Sequence, residues 1–245
     1  MKVFIFILTL ISSVFGLSNY EVAKKSEAVM SGFKDSISTI EMTLINARGQ
    51  KKFRTMRMKV LEGKKGDKSL MEFLTPADIK GTKFLNYEHV DRDDDQWIYL
   101  PALRRVKRIA SKNKSGSFMG SEFSFEDLSA FHANSYKYEG DAQELDGIYK
   151  TTCTPISKYS GYKKLIHFVD AKTFLIQKVE YYDRKDKLLK VATFKDYKKF
   201  VRVYRIGKIT MKNVQNNKTT ILVFKDEKIK NGLTEKDFYK RYLKR

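Results

Sequence analysis

The sequence predicts a mainly β fold with some α: a curled antiparallel sheet of many strands, covered by an N-terminal helix and a central irregular segment. Three observations carry this. Across residues 19–33 apolar side chains recur at helical spacing. From Ser36 onward the period changes to two. Most later segments are short alternating runs closed by Gly, Asp, Asn or Pro, with no helical pattern between them. Strands spaced in this way form an antiparallel sheet, and an open sheet of about ten strands curls or closes.

The chain begins with something other than this sheet. Met1-Lys2 is a short positive region, residues 3–15 are apolar except for Thr9, Ser12 and Ser13, and Gly16 and Ser18 are small. That is the layout of a secretory signal peptide, and the run is shorter than the about 20 apolar residues of a membrane span. Residues 1–18 are therefore expected to be a cleavable signal, with cleavage near Leu17 or Asn19, and 19–245 to form a single domain. An uncleaved anchor is the alternative.

Ser18 and Glu21 form a capping-box pattern, which starts the helix. Val22, Val29, Met30 and Phe33 then mark its apolar side. In the first strands Ile40, Met42 and Leu44 alternate with polar residues, as do Met56, Met58 and Val60, with a turn at residues 62–67. Residues 70–74 end at Thr75-Pro76, and the aromatic run 96–100 stops at Pro101. Further strands are expected at 135–138, 147–154, 162–169, 175–182, 187–194, 206–214 and 219–225, with short helices at 129–130 and 237–243.

Charge and cysteine content narrow the function. The chain has 49 Lys plus Arg against 29 Asp plus Glu, a net charge of +20. Such an excess suits nucleic acid, an anionic membrane or an acidic partner. An exported chain meets lipid rather than DNA, so no nucleic-acid partner is expected. One Cys excludes an intramolecular disulfide framework and any multi-cysteine zinc site.

Signatures of catalysis and metal binding are missing from the sequence. Asp91, Asp93 and Asp95 have the spacing of a calcium loop, but Gln96 stands where Gly is required and Ala102 where the bidentate Glu belongs. His89, His132 and His167 are isolated in the sequence, and residues 116–120 do not form a nucleophile elbow. No catalytic residue, metal or cofactor is expected.

A curled sheet has a concave face that side chains, a covering helix or an apolar ligand must fill. Met56, Met58, Met71, Phe73, Trp97 and Tyr99 occupy alternating strand positions, and Met adapts to varied apolar shapes. Singly each reads as ordinary core; together they suggest a partly unfilled cavity. Phe118 and Met119, between Gly116 and Gly120, with Phe123 beyond, form a flexible apolar loop that reads equally as gate or plug. Arg104, Arg105, Lys107 and Arg108 read either as a solvated edge that discourages strand pairing or as a docking site for lipid headgroups or an acidic partner.

Residues 94–128, DDQWIYLPALRRVKRIASKNKSGSFMGSEFSFEDL, join an aromatic strand ending in Pro, a basic strand, a Ser/Gly loop and an acidic Phe-Glu-Asp-Leu. With Lys208-Ile209-Thr210-Met211, the run 217–222, Asn231-Gly232-Leu233 and Asp237-Phe238, this resembles the LolA-like outer-membrane lipoprotein-sorting proteins. It includes the branch found beside transporters of the resistance-nodulation-division type. One departure is Tyr204-Arg205-Ile206-Gly207, where a Pro is expected before Lys208.

The resemblance implies an unclosed β-barrel with a helical lid around an apolar cavity. It points to a non-enzymatic periplasmic carrier or binding protein for lipid or lipoprotein acyl chains, passing them toward the outer membrane or a transporter. Implied partners are those acyl chains, an anionic membrane surface and an inner-membrane transporter. A cargo-free periplasmic adaptor, docking through its basic surface, is the alternative; a completely filled concave face would favour it.

Overall fold

Strands on both sides of one long hairpin define the architecture. The structure is a computed structural model that describes residues 16–244, so all but the last three residues of the expected signal lie outside it. Helix α1 (Asn19–Met30) is followed by β1 (Asp35–Ile45), β2 (Lys51–Leu61), β3 (Lys68–Thr75), β4 (Lys83–Tyr87), β5 (Asp95–Leu100) and β6 (Arg105–Ile109). After a long irregular segment come β7 (Tyr136–Tyr138), β8 (Gln143–Leu145), β9 (Ile148–Pro155), β10 (Tyr162–Asp170), β11 (Ile176–Asp183) and β12 (Leu188–Lys195). The hairpin of β13 (Lys198–Phe200) and β14 (Val203–Arg205) precedes β15 (Lys208–Asn213) and β16 (Thr219–Ile229).

Fourteen strands make one antiparallel sheet in the order β6-β5-β4-β3-β2-β1-β16-β15-β12-β11-β10-β9-β7, with β8 beside β9. The first and last long strands, β1 and β16, are neighbours at its centre. The sheet curls without closing, and β6 and β7 are its two edges. The chain between them crosses from one edge to the other and brings Phe118, Phe123 and Phe125 into the core, where Phe118 is fully buried against Phe73 and Phe84. That aromatic segment takes up room that direct pairing of the two edges would eliminate.

Local structure follows the sequence closely where periodicity is strong. Ser18 and Glu21 form the full capping box of α1. The helix ends at Met30, short of the expected Phe33, because Gly32 (φ 98°) and Lys34 (φ 70°) turn the chain. Phe33 instead packs with Val60 and Val203. Strand β4 was not expected: Phe84 and Leu85, both about 1% exposed, face opposite sides, so its sequence shows no alternation. The short helices are 3-10 turns, at Phe125–Leu128 rather than 129–130, and at Glu235–Phe238 and Lys240–Lys244.

Register decides which residues face inward. Met56 pairs with Phe73, Met58 with Met71, Met71 with Phe84 and Phe84 with Ile98. Ile98 is therefore on the concave face and Trp97 and Tyr99 on the convex one. There they pack with Leu85 beneath Phe238 and Leu243 of the C-terminal turns.

Candidate functional site

Despite the crossing segment, the concave face is not full. A cavity of about 730 Å³ remains between the sheet, α1 and the stretch that leads into β7. Its apolar walls include Ile40, Met58 and Met71 on one side and Leu165, Val179 and Phe194 on the other. Helix α1 contributes Ser26, Glu27 and Met30. It is fastened by Ser26 Oγ donating to the Phe174 carbonyl (2.7 Å) and Asn19 Nδ2 donating to the Glu139 carbonyl (2.7 Å). On the β13–β14 hairpin Arg205 stacks over Phe33 and pairs with Glu227 at 2.7 Å.

The remaining lining is polar, and all three histidines belong to it. His132 places Nδ1 3.2 Å from Glu27 on α1 and Nε2 2.8 Å from Glu88 just beyond β4. Hydrogen bonds to Glu27 and then Glu88 raise its pKa to about 10, so it is an imidazolium. Burial opposes ionisation of Glu27, but hydrogen bonds from His132, Lys24 and the Ala133 amide take it down to about 2. Asp67 is pushed up to about 7 by burial and then by the charge of Glu88.

Gly66 explains this proximity. A Cβ there would stand 2.1 Å from the Glu88 carbonyl oxygen, so only glycine lets the β2–β3 turn lie against that backbone. The Glu88 amide then donates to the Asp67 carbonyl at 2.8 Å. Asp67, Glu88 and His132 present ligand atoms within 4.8 Å of one another, a spacing a divalent ion spans. With both His132 nitrogens turned to carboxylates, the arrangement as it stands is an ion pair.

Elsewhere in the lining, burial raises Asp94 and Glu126, the latter also through Asp127, while burial lowers His167 to about 4 and leaves it neutral. Asp127 reaches Lys190 on β12 at 2.5 Å with both side chains 4% exposed, and the Tyr162 hydroxyl donates to it at 2.7 Å. This pair ties the crossing segment to the sheet.

The residues expected from sequence fall into separate places. Met58, Met71 and Phe123 line the cavity. Met56, Phe73 and Phe118 fill the adjoining core, and Met119 packs against it, its carbonyl accepting from Arg54 Nη1 at 2.6 Å. Trp97 and Tyr99 lie on the opposite face, so the alternation has the right period and the wrong phase. Arg104, Arg105, Lys107 and Arg108 are exposed at the open edge of β6. Lys107 and Arg105 share the phase of inward-facing Ile109, and Arg108 pairs with Asp95 at 2.5 Å. The calcium-like aspartates go to separate partners: Asp91 is exposed, Asp93 bonds Lys114 and Ser157, and Asp95 meets Arg92, Arg108 and His89. Glu27, Asp67, Glu88, His132 and His167 were not singled out as site residues. Glu27 and Glu88 are 105 and 44 residues from His132 in sequence, and no local motif signals such a group.

A family model described only as "Uncharacterized protein" matches residues 65–245. No curated protein gives a significant match. Among solved structures, a domain assigned to outer-membrane lipoprotein sorting from Vibrio parahaemolyticus is 44% identical, with a TM-score of 0.88, over 92% of this chain and 98% of its own. A DUF1329 family protein from Desulfovibrio piger is 29% identical, with a TM-score of 0.85, over 92% of this chain and 97% of its own. A LolA superfamily protein from Nitrosomonas europaea shares the fold, with a TM-score of 0.73 at 17% identity, over 92% of this chain and 99% of its own.

Proposed function

Because this chain belongs to the LolA-like outer-membrane lipoprotein-sorting family, we propose that it is a periplasmic carrier or binding protein for lipid or lipoprotein acyl chains. In this reading residues 1–18 direct export, residues 19–245 act as one lipid-binding domain, and cargo passes toward the outer membrane or a resistance-nodulation-division transporter. The observation that carries it is the cavity: about 730 Å³, bounded by the concave face and α1, is within the size range of small-molecule sites. A completely filled concave face would instead favour the cargo-free adaptor.

Met58, Met71 and Phe123 contact the acyl chain in this proposal, and the Phe118–Met119 loop holds the core beside it. Each methylene moved from water to such walls contributes about 0.8 kcal/mol. Transfer needs only a change that weakens the hold, so no step of the reading is catalytic. The edge carrying Arg104, Arg105 and Lys107 docks on anionic lipid, which brings the open side of the sheet to the membrane.

The test is binding of a fluorescent fatty acid by the purified, delipidated mature protein, together with native mass spectrometry and lipid extraction before delipidation. Saturable binding and a copurified lipid are expected. Absence of both ends the carrier reading.

A further inference from the structure

The charge of the cavity runs against the charge of the chain. Of 29 Asp and Glu, ten line the cavity; of 49 Lys and Arg, three do. Those three are already engaged: Lys114 with Asp93 at 2.9 Å, Arg205 with Glu227 at 2.7 Å and Arg92 with Asp95 at 2.8 Å. Asp67, Asp94 and Glu126 have no ion-pair partner among the described residues, and Glu88 has His132 alone. Backbone amides and hydroxyls donate to Asp67, Asp94 and Glu126. The one imidazolium beside Asp67 and Glu88, His132, is shared with Glu27, so the acids there outnumber the nearby positive charge. Buried negative charge without a countercharge is costly, and a cationic ligand offsets that cost.

A second observation is independent of the acids. His167 is 3% exposed, lines the same cavity and packs against Phe131, the residue before His132, with ring centroids 4.9 Å apart and planes tilted by 59°. Its Nδ1 faces Cys153 Sγ at 3.8 Å, and its Nε2 has no partner among the described residues. A neutral imidazole in the cavity wall, with that nitrogen unpaired, can accept from a ligand N–H without repelling its charge. A carboxylate or phosphate head would meet the acids at close range instead.

Resting on the carrier reading, we infer that the cargo is an amphiphile with a cationic head: an amine-bearing lipid whose chain lies against the apolar walls and whose ammonium is held by the Asp67–Glu88–Asp94 group. Asp67 and Glu88 present oxygens within 4.8 Å of each other, and Asn86 and Ser129 link Glu88 to Asp94 by hydrogen bonds, so the three carboxylates adjoin and one ammonium can serve the group. The strongly basic exterior and the acidic interior then recognise different things, the anionic membrane outside and the amine head within.

The experiment compares three probes of equal chain length, dodecylamine, dodecanoate and dodecyl maltoside, by calorimetry on the delipidated mature protein at pH 7 and below micellar concentrations. Dodecylamine is expected to bind about tenfold or more tightly than dodecanoate, with the maltoside between them. Asp67→Asn and Asp94→Asn, each nearly isosteric, are expected to cut that ratio at least about threefold. Equal affinity for the charged probes, tighter dodecanoate, or a ratio that neither variant moves overturns this inference and leaves the carrier reading standing. Failure of all three probes to bind removes both.

Discussion

His132 Nε2 stands 2.8 Å from the Glu88 carboxylate while its other nitrogen faces Glu27, so one imidazolium joins helix α1 to the sheet. Its pKa is raised from 6.5 to about 10, so its contribution is complete below about pH 6.5 and is lost as pH rises through about 10. Glu27 is lowered from 4.5 to about 2, so its share is present above about pH 4.5 and is lost as pH falls toward 2. His132→Gln is therefore expected to lower stability most between these limits, about pH 4.5 to 6.5, by roughly 2 kcal/mol after allowance for partial exposure. Thermal melts of both proteins across pH check this. A gap that fails to narrow toward pH 10 contradicts it.

Asp67 titrates in the opposite sense. Its pKa is raised from 3.8 to about 7, so ionising it in the folded protein costs stability that sets in as pH rises from about 3.8 and is complete above about 7. Asp67→Asn removes this cost, and its amide oxygen retains the bond from the Gly63 amide, 3.1 Å in the native protein. The variant is expected to be more stable by about 1–2 kcal/mol at pH 8 and indistinguishable below about pH 4. A destabilised variant at pH 8 would show that the Asp67 charge supports the fold.

Lys190 and Asp127 form the most buried ion pair of the crossing segment. Lys190→Met leaves Asp127 with Tyr162 and Ser124 as hydrogen-bond donors but without a countercharge. A loss of about 3–5 kcal/mol is expected in denaturant unfolding. Replacing both, Lys190→Met with Asp127→Leu, is expected to recover part of it, because no charge then remains buried. A double variant no better than the single one assigns the loss to the hydrogen bonds of Asp127.

The cavity variants turn on phase, which is also where sequence reasoning stops. Ile209 faces the cavity, and Ile209→Trp is expected to weaken fatty-acid binding about tenfold or more by occupying it. Trp97→Phe, on the convex face, is expected to leave binding unchanged while lowering stability. Equal effects of the two on affinity contradict the assignment. Alternation at 96–100 is plain in the sequence, yet which set points inward depends on pairing β5 to β4, and β4 is itself hidden because both faces are apolar. The helix, its capping box and the long strands were legible because their signals are local. The Glu27–His132–Glu88 group was not, since it assembles three segments whose approach depends on the turn at Gly66 and the path of the crossing segment.

The basic edge separates docking from cargo. Arg108 is engaged by Asp95, which leaves Arg104, Arg105 and Lys107 as exposed charges on or beside an edge strand. Near an anionic surface each contributes about 1 kcal/mol, so replacing all three with Gln is expected to weaken partition to vesicles containing phosphatidylglycerol about 100-fold. Raising salt toward 1 M is expected to produce a similar loss in the unmodified protein, because the screening length falls to about 3 Å. Fatty-acid affinity in solution is expected to stay the same, since none of the three lines the cavity. Vesicle cosedimentation and fatty-acid titration on the same preparation decide the matter. Loss of both activities together would mean that the edge shapes the cavity, whereas loss of vesicle binding alone makes it the face turned toward the membrane.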